Sequence, residues 1–242
     1  MNKKNLIGTF TLNTCPNVTE IISKNLDFII IDREHGVHDF QNVNVLNKII
    51  KKNCISLIRA SNLSRIEIQK CLDINPDGVL VPQISSINDV KKAISFSYFN
   101  PKGSRGLSPY TASFNYHHKD SNKKKSVINS KIFLGLLIEG KNGLASLKEI
   151  CSKFSSEISL IYFGLYDFTS SLGLKPEWSD PKVKKAVKEI VKECKKKKIR
   201  IGSIARNINE INFLKKMGIN FICYQNDTGI IHLILSKWFF YY

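Results

Sequence analysis

The chain has 242 residues, of which 43% are hydrophobic and 24% are charged, and its formal net charge at pH 7 is +17. These are ordinary values for a globular protein, and the length suits a single domain over residues 1–242 that needs no disulfide or structural metal to fold. No apolar run approaches the ~18 residues of a membrane span, so we expect no membrane partner.

The positive charge comes almost entirely from lysine. Proteins that bind nucleic acids tend to use arginine and interleaved aromatic side chains. The two lysine runs, at 123–125 and 195–198, contain neither. Solvated surface therefore explains the charge better than a nucleic-acid site.

The six cysteines show no CxxC or other zinc-like spacing. Most stand in apolar stretches, where cysteine behaves as a small hydrophobic residue. The N-terminal apolar stretch is interrupted by Pro16, which makes it a poor signal peptide. We therefore expect a protein of the reducing cytoplasm.

Short β-branched runs predict eight strands, with helical periodicity between them. In chain order the runs are Leu6–Leu12, Asp27–Asp32, Cys54–Arg59, Gly78–Pro82, Ile132–Glu139, Ile158–Gly164, Arg200–Ala205 and Phe221–Gln225. They are apolar almost throughout, which is typical of parallel strands buried on both faces. This α/β pattern predicts a closed (β/α)8 TIM barrel. The alternative is a doubly wound open sheet, but the glycine-rich motifs of its nucleotide-binding versions are absent.

Three helix ends have clear signals. Ser64 is a predicted N-cap, Asp180 and Pro181 open a later helix, and Gly218 stops the last but one. One segment, about residues 100–130, reads as a long irregular loop rich in Pro and Gly. Loops of this length in compact domains are usually functional or mobile.

Polar residues gather where the predicted strands end, which is where barrel enzymes carry their active sites. In chain order they are Asp32, Glu34, His35, Arg59, Gln83, Glu139 and Asp167. These residues are distant in sequence, but a closed barrel brings all strand ends to one mouth. The pattern therefore predicts a single polar site.

The residue types at these positions suit one kind of chemistry. Glu139 and Asp167 can hold a hard divalent cation such as Mg²⁺ or Mn²⁺, which can polarise a 2-oxo acid. Arg59 can stabilise an oxyanion or bind a carboxylate, and His35 can move protons near neutral pH. Taken singly, each also has a structural explanation, such as a helix cap at Asp167. Together they predict machinery that makes and uses an enolate.

Five stretches also resemble, in the same order, the HpcH/HpaI aldolase family of metal-dependent (class II) pyruvate aldolases. They are DFIIIDREHG, LIRASNLSRIEIQKCLDINPDGVLVPQ, FNPKGSRG, IEGKNGLASLKEI and IYFGLYDFTSSLG. The resemblance implies a (β/α)8 barrel and a homo-trimer or homo-hexamer whose C-terminal helix is exchanged between subunits. It also implies a carbon–carbon lyase that uses Mg²⁺ or Mn²⁺, with Co²⁺ as a further candidate. That lyase would reversibly cleave a 4-hydroxy-2-oxo acid to pyruvate and an aldehyde through a metal-bound enolate.

The resemblance further implies a role for each matched residue at the strand ends. Glu139 and Asp167 resemble the metal ligands, and Arg59 resembles the arginine that stabilises the pyruvate enolate. His35 resembles the acid–base histidine. Asp32 resembles the acid near the metal-bound water and the aldehyde. These assignments agree with the chemistry expected from the residue types.

Three further residues are implied only by the resemblance. Asp73 resembles an aspartate that pairs with the acid–base histidine of a neighbouring subunit. Arg105 stands in a loop that resembles one bordering the substrate, where it binds an anion or braces the loop. Tyr166 takes the position whose backbone N–H faces the substrate carboxylate, next to Asp167.

The chain also departs from the family pattern. Leu137 stands where the family often has Gln, Leu165 and Tyr166 replace a proline and a small residue, and Arg33 replaces a small or apolar residue. We expect Tyr166 and Arg33 to reshape the mouth without preventing metal binding. Two other functions stay open: a citrate-lyase-β-like enzyme acting on a thioester, and a non-catalytic barrel serving as a basic binding module.

Overall fold

A closed barrel of eight parallel strands forms the centre of the protein, in a computed structural model that describes residues 5–239. The strands are β1 (Leu6–Thr11), β2 (Phe28–Asp32), β3 (Ile55–Arg59), β4 (Gly78–Val81), β5 (Phe133–Ile138), β6 (Leu160–Phe163), β7 (Arg200–Ala205) and β8 (Phe221–Asn226). Each strand pairs with the next, and β8 pairs with β1 to close the barrel. The predicted (β/α)8 barrel and its eight strands are confirmed.

Helices surround the barrel. They are α1 (Pro16–Ser23), α2 (Phe40–Ile50), α3 (Arg65–Asp73), α4 (Ile87–Ser97), α5 (Ser121–Lys131), α6 (Lys141–Phe154), α7 (Leu165–Ser170), α8 (Pro181–Lys196), α9 (Ile208–Met217) and α10 (Asp227–Phe239). The predicted helix ends are confirmed. Ser64 accepts a hydrogen bond from the Glu67 amide, Asp180 caps α8, and Gly218 ends α9 at a φ of 98°. Among the residues the structure describes, no helix could span a membrane.

The apolar core has two parts, one inside the barrel and one between the barrel and its helices. Side chains alternate between these two parts along each strand. On β2 the inward series begins with Phe28 and Ile30 and continues to Asp32; on β3 it passes from Leu57 to Arg59. The same alternation that fills the barrel with apolar side chains therefore turns its last polar residues toward the mouth.

The segment predicted as one long irregular loop contains a 3-10 turn (Ala112–Phe114) and helix α5. The prediction is wrong for α5 because that helix buries no residue, so its sequence has no apolar periodicity to find. The segment joins the end of α4 to the start of β5. Within one chain it therefore begins and ends at the amino-terminal end of the barrel, opposite the mouth.

Candidate active site

Asp32 and Arg59 form a buried ion pair at the mouth. They are register partners at the ends of β2 and β3, and the Arg59 Nε and Nη2 atoms lie 2.8 and 2.5 Å from the two Asp32 carboxylate oxygens. Asp32 Oδ1 also accepts hydrogen bonds from the backbone N–H groups of Glu34 and His35, at 3.0 and 3.2 Å. One carboxylate thus orients the guanidinium and the loop that carries His35.

Glu34 supplies a second carboxylate to the same arginine. Arg59 Nη1 lies 2.9 Å from Glu34 Oε2, and the Gln83 side-chain amide donates to Glu34 Oε1 at 3.1 Å. Burial by itself lowers the pKa of Arg59, but the Asp32 and Glu34 carboxylates outweigh that effect and raise it above the ordinary value. The guanidinium is therefore held rigidly and permanently charged.

Arg33 faces away from the mouth. Its Nε and Nη2 atoms lie 2.7 and 3.2 Å from the Glu67 carboxylate oxygens, and Nη1 donates to the His38 carbonyl at 2.6 Å. Its guanidinium also covers the Phe40 ring, 3.7 Å from the ring centroid. The expectation that Arg33 reshapes the mouth is wrong, because α3 offers it a buried carboxylate on the outer side of the loop.

Glu139 stands just after β5, where the backbone N–H of Gln83 donates to its Oε1 at 2.7 Å. A Cβ atom at Gly164 would lie 2.8 Å from the Glu139 Cβ, so glycine makes room for this side chain. Burial raises the pKa of Glu139 to about 7; the neighbouring Glu34 and Asp167 carboxylates add to the rise, which the Gln83 amide opposes. The Glu139 carboxyl group is thus buried beside two further carboxylates, with the Arg59 charge as their counterweight.

The carboxylates at the mouth fit a hard divalent cation. In residues 5–239 no group of three or more His, Cys, Asp or Glu side chains is arranged to hold a metal. Mg²⁺ and Mn²⁺ nevertheless need only one or two protein carboxylates, because water and substrate oxygens complete their coordination. A cation beside Glu139 and Asp167 would also relieve the repulsion that raises the Glu139 pKa.

Two cavities meet at these carboxylates, and both are lined by His35, Glu139 and Asp167. The smaller, about 320 Å³, also reaches Arg59 and the exposed Tyr166. The larger, about 550 Å³, runs past the start of α6. The structure thus brings the strand-end residues predicted from sequence to one place, with room for a small substrate.

Asp73 and Arg105 are not part of this mouth within one chain. They form an ion pair with each other, Arg105 Nη2 lying 2.6 Å from Asp73 Oδ1, and the Arg105 guanidinium covers the Phe99 ring at 4.5 Å. Arg105 lines a cavity of about 870 Å³ bordered by residues at the starts of strands, at the amino-terminal end of the barrel. Arg105 was predicted either to bind an anion or to brace its loop. Its contacts with Asp73 and Phe99 are those of a residue that braces the loop.

Two residues at the mouth of the barrel were not predicted from the sequence. Tyr162, on β6, lines the smaller cavity. Its position two residues before Gly164 places its side chain inside the barrel, and this alternation could have predicted it from the sequence. Asp227, the first residue of α10 directly after β8, is fully buried and accepts hydrogen bonds from Thr11 Oγ1 at 2.5 Å and the Leu12 amide at 3.0 Å. Its position directly after the last strand could likewise have predicted a polar residue at the mouth.

Comparisons with known proteins find relatives and solved structures that match most of the chain. The chain is 23% identical over 227 residues to a hydroxypyruvate/pyruvate aldolase of Sagittula stellata, covering 93% of this chain and 88% of the relative. It is 23% identical over 224 residues to a 2-keto-3-deoxy-L-rhamnonate aldolase of Escherichia coli, covering 92% and 83%. A solved HpcH/HpaI aldolase/citrate lyase family protein from Burkholderia cenocepacia shares the fold with a TM-score of 0.89 at 17% identity, over 97% of this chain and 93% of that one.

The extent of the family match settles the classification. The HpcH/HpaI aldolase/citrate lyase family model matches residues 7–231, a range that contains every candidate site residue and all eight strands except the first residue of β1. The closed barrel and the polar strand ends described above lie within that match. The chain therefore belongs to the HpcH/HpaI aldolase/citrate lyase family of carbon–carbon lyases.

Proposed function

We propose that this chain is a divalent-metal-dependent aldolase that reversibly cleaves a 4-hydroxy-2-oxo acid to pyruvate and an aldehyde. The observation that carries the proposal is the mouth itself, where Arg59, His35, Glu139 and Asp167 border one cavity of about 320 Å³. Relatives named as pyruvate and 2-keto-3-deoxy-L-rhamnonate aldolases, at 23% identity over most of the chain, support the same class of substrate.

Substrate binding would rest on the carboxylates and the arginine. Glu139 and Asp167 would hold Mg²⁺ or Mn²⁺, with Co²⁺ as a further candidate; such an ion, when bound, polarises the 2-oxo group. A guanidinium has five N–H donors. Two N–H groups of Arg59, on Nε and Nη2, donate to Asp32, and Nη1 lies beside Glu34. The remaining N–H groups can donate to a substrate oxygen. Tyr166 lies in the first turn of α7, so its backbone N–H has no carbonyl acceptor within that helix. It can therefore donate a hydrogen bond to the substrate carboxylate.

Proton transfer would fall to His35, whose exposed ring borders both cavities. In cleavage its imidazole accepts the proton of the 4-hydroxyl group. The C3–C4 bond breaks, the C4 oxygen becomes the aldehyde carbonyl, and the bonding electron pair forms the enolate of pyruvate. Arg59 stabilises the resulting oxyanion, while Asp32 keeps both Arg59 and the His35 loop in place. Return of a proton to C3 gives pyruvate.

The test is proton exchange into pyruvate. The folded protein with Mn²⁺ and pyruvate in D₂O is expected to replace the methyl protons with deuterium, because enolate formation is reversible. The His35→Ala and Glu139→Ala variants are expected to lose this exchange while keeping the circular-dichroism spectrum of the fold. Absence of exchange with Mg²⁺, Mn²⁺ and Co²⁺ in the folded wild type would show that the proposal is wrong.

We also propose that the active form is a homo-trimer or homo-hexamer in which α10 is exchanged and Asp73 completes a neighbouring site. Two observations support this. Helix α10 exposes Ile231, Ile234 and Leu235, and the barrel does not bring Asp73 to the mouth of its own chain. Co-refolding His35→Ala with Asp73→Ala is expected to restore activity, because mixed interfaces contain one intact site. A fully active monomer in light scattering would contradict the assembly.

A cytoplasmic location is part of the same proposal. All six cysteines are free thiols, and Cys151 and Cys194 form no disulfide although their Sγ atoms lie 4.0 Å apart, within the distance of a thiol–thiol hydrogen bond. Reduced thiols at this spacing suit a reducing compartment. Protein purified without reductant is expected to show six thiols in a denaturing titration; a disulfide between Cys151 and Cys194 would argue against the cytoplasm.

A further inference from the structure

The hydroxyl group of Tyr162 is buried without a hydrogen-bond partner in residues 5–239. The residue is 3% exposed, and no described oxygen or nitrogen atom lies in hydrogen-bonding geometry with its Oη atom; its polar neighbour is the Cys223 thiol. Buried tyrosine hydroxyls nearly always find a partner, and an exception calls for an explanation. One explanation is that the partner is a ligand.

The position of Tyr162 favours that explanation. The side chain points inside the barrel, where its ring meets the edge of Phe10 at a centroid distance of 5.7 Å. On the adjacent strand its register partner is Leu137, an apolar side chain that offers no hydrogen bond. Tyr162 lines the same cavity of about 320 Å³ as Arg59 and Glu139. The Tyr162 side chain therefore forms part of the wall of the space that a substrate would enter.

The surroundings of Tyr162 keep the hydroxyl in its donor form. Burial raises the pKa of Tyr162 well above its ordinary value, and the Cys223 thiol beside it adds to the rise, although the charge of Arg59 opposes it. The phenol is consequently protonated at every working pH. Cys223 is itself a neutral thiol, because burial raises its pKa to about 12, and a thiol is only a weak partner for a phenol.

We propose that Tyr162 is a catalytic residue whose Oη–H donates a hydrogen bond to the substrate oxygen that Arg59 also holds. On this assignment, which rests on the proposed aldolase function, Arg59 and Tyr162 form a two-donor site for the oxyanion that develops at C2 as the C3–C4 bond breaks. No proton leaves Tyr162, since the phenol only shares its hydrogen with the oxyanion. Leu137 cannot take this role because it has no polar atom.

A donor aimed at a developing charge acts more strongly on the transition state than on the bound substrate. Its removal should therefore lower kcat and leave KM nearly unchanged. A tyrosine that merely fills the barrel would behave differently, because loss of one oxygen from an apolar contact disturbs neither parameter. The split between kcat and KM thus separates the catalytic role from the structural one.

The decisive variant is Tyr162→Phe, which removes one oxygen and keeps the ring against Phe10. With Mn²⁺ present, kcat for cleavage and the rate of pyruvate proton exchange are expected to fall by about 100-fold, with KM changed by less than about twofold. The melting temperature is expected to stay equal or rise, because the variant removes a buried hydroxyl without a partner. Affinity for oxalate, a planar mimic of the enolate, should weaken by about tenfold in parallel.

Two further variants control this experiment. Cys223→Ala removes the thiol beside Tyr162 and is expected to leave kcat within about twofold of wild type, given that the thiol is a weak partner. Leu137→Gln in the Tyr162→Phe background places an amide donor on the neighbouring inward position and is expected to recover about tenfold of the lost rate. Failure of that recovery, with an intact fold, would count against a missing donor as the cause.

The possible failures are distinguishable. If the wild type catalyses exchange and Tyr162→Phe does so at the same rate, the assignment of Tyr162 is overturned and the aldolase function stands. If Cys223→Ala lowers kcat as much as Tyr162→Phe, the hydroxyl serves the thiol and the assignment is again overturned. If the wild type shows no exchange with any of the three divalent ions, the proposed function falls and takes this assignment with it.

Discussion

Arg33 and Glu67 form a two-point ion pair, with Nε–Oε1 and Nη2–Oε2 distances of 2.7 and 3.2 Å, that ties the loop after β2 to helix α3. Glu67 Oε1 also accepts a hydrogen bond from the Ser61 amide at 3.1 Å, which adds the loop after β3 to the same contact. Asp32 holds the inner side of the β2 loop through the amides of Glu34 and His35. The loop that carries His35 is therefore held by contacts on both its inner and its outer side.

Replacing Arg33 by alanine should weaken the fold and loosen the loop that carries His35. It leaves the buried Glu67 carboxylate without its guanidinium, and the free energy of unfolding is expected to fall by about 3 kcal/mol. Urea denaturation measures this change. The matched control is Lys153→Ala, which breaks the exposed Lys153–Glu149 pair and should cost less than about 1 kcal/mol. Equal losses in the two variants would contradict a structural role for Arg33.

The same ion pair predicts a pH dependence of stability. Burial raises the pKa of Glu67, but the Arg33 side chain and the Ser61 amide outweigh it and hold the pKa below the ordinary value of 4.5. A carboxyl group with a lowered folded-state pKa stabilises the fold above its unfolded value, and the contribution disappears as the pH falls through the folded value. Unfolding free energy should therefore decline below pH 4.5 less steeply in Glu67→Gln than in wild type. Parallel curves would refute the assignment; Glu149→Gln is the exposed control.

Neutralising either proposed metal ligand should abolish tight metal binding. Glu139→Gln and Asp167→Asn each remove one negatively charged oxygen ligand. Titration calorimetry is expected to show that the affinity for Mn²⁺ falls by more than about 100-fold. That loss exceeds the one expected when a residue that only supports a metal ligand is removed. Glu149→Gln, on the exposed face of α6, serves as the control for net charge. Wild-type affinity in both site variants would place the metal elsewhere.

Removing the Asp227 carboxylate should destabilise the junction between β8 and the loop after β1. The side chain is fully buried and accepts hydrogen bonds from Thr11 Oγ1, the backbone amides of Leu12 and Asn13, and the Asn13 side chain. Asp227→Ala leaves these donors unpaired, and we expect a loss of about 3 kcal/mol in unfolding free energy. Asp39→Ala, which removes an exposed N-cap bond to Asn42, should cost only about 1 kcal/mol. A smaller effect at Asp227 than at Asp39 would disprove the expectation.

The barrel and its polar mouth follow from the residue pattern alone. Strands buried on both faces must be apolar along their length, and the inward alternation puts Asp32, Arg59 and Glu139 at the mouth whatever the details of packing. Helix α5 was not predicted because its polar sequence has no repeat of apolar residues at helical spacing. Local physics thus decided which elements form and where their last residues point.

The pairs of side chains that contact each other depend on the folded chain as a whole. Arg33 and Glu67 are 34 residues apart and Thr11 and Asp227 are 216 apart, so no local pattern could pair them. The unpartnered hydroxyl of Tyr162 and the pairing of Asp73 with Arg105 were equally invisible. The physical reason is that periodicity fixes the face of an element that a residue occupies, whereas register, barrel closure and loop path fix the residue that stands opposite.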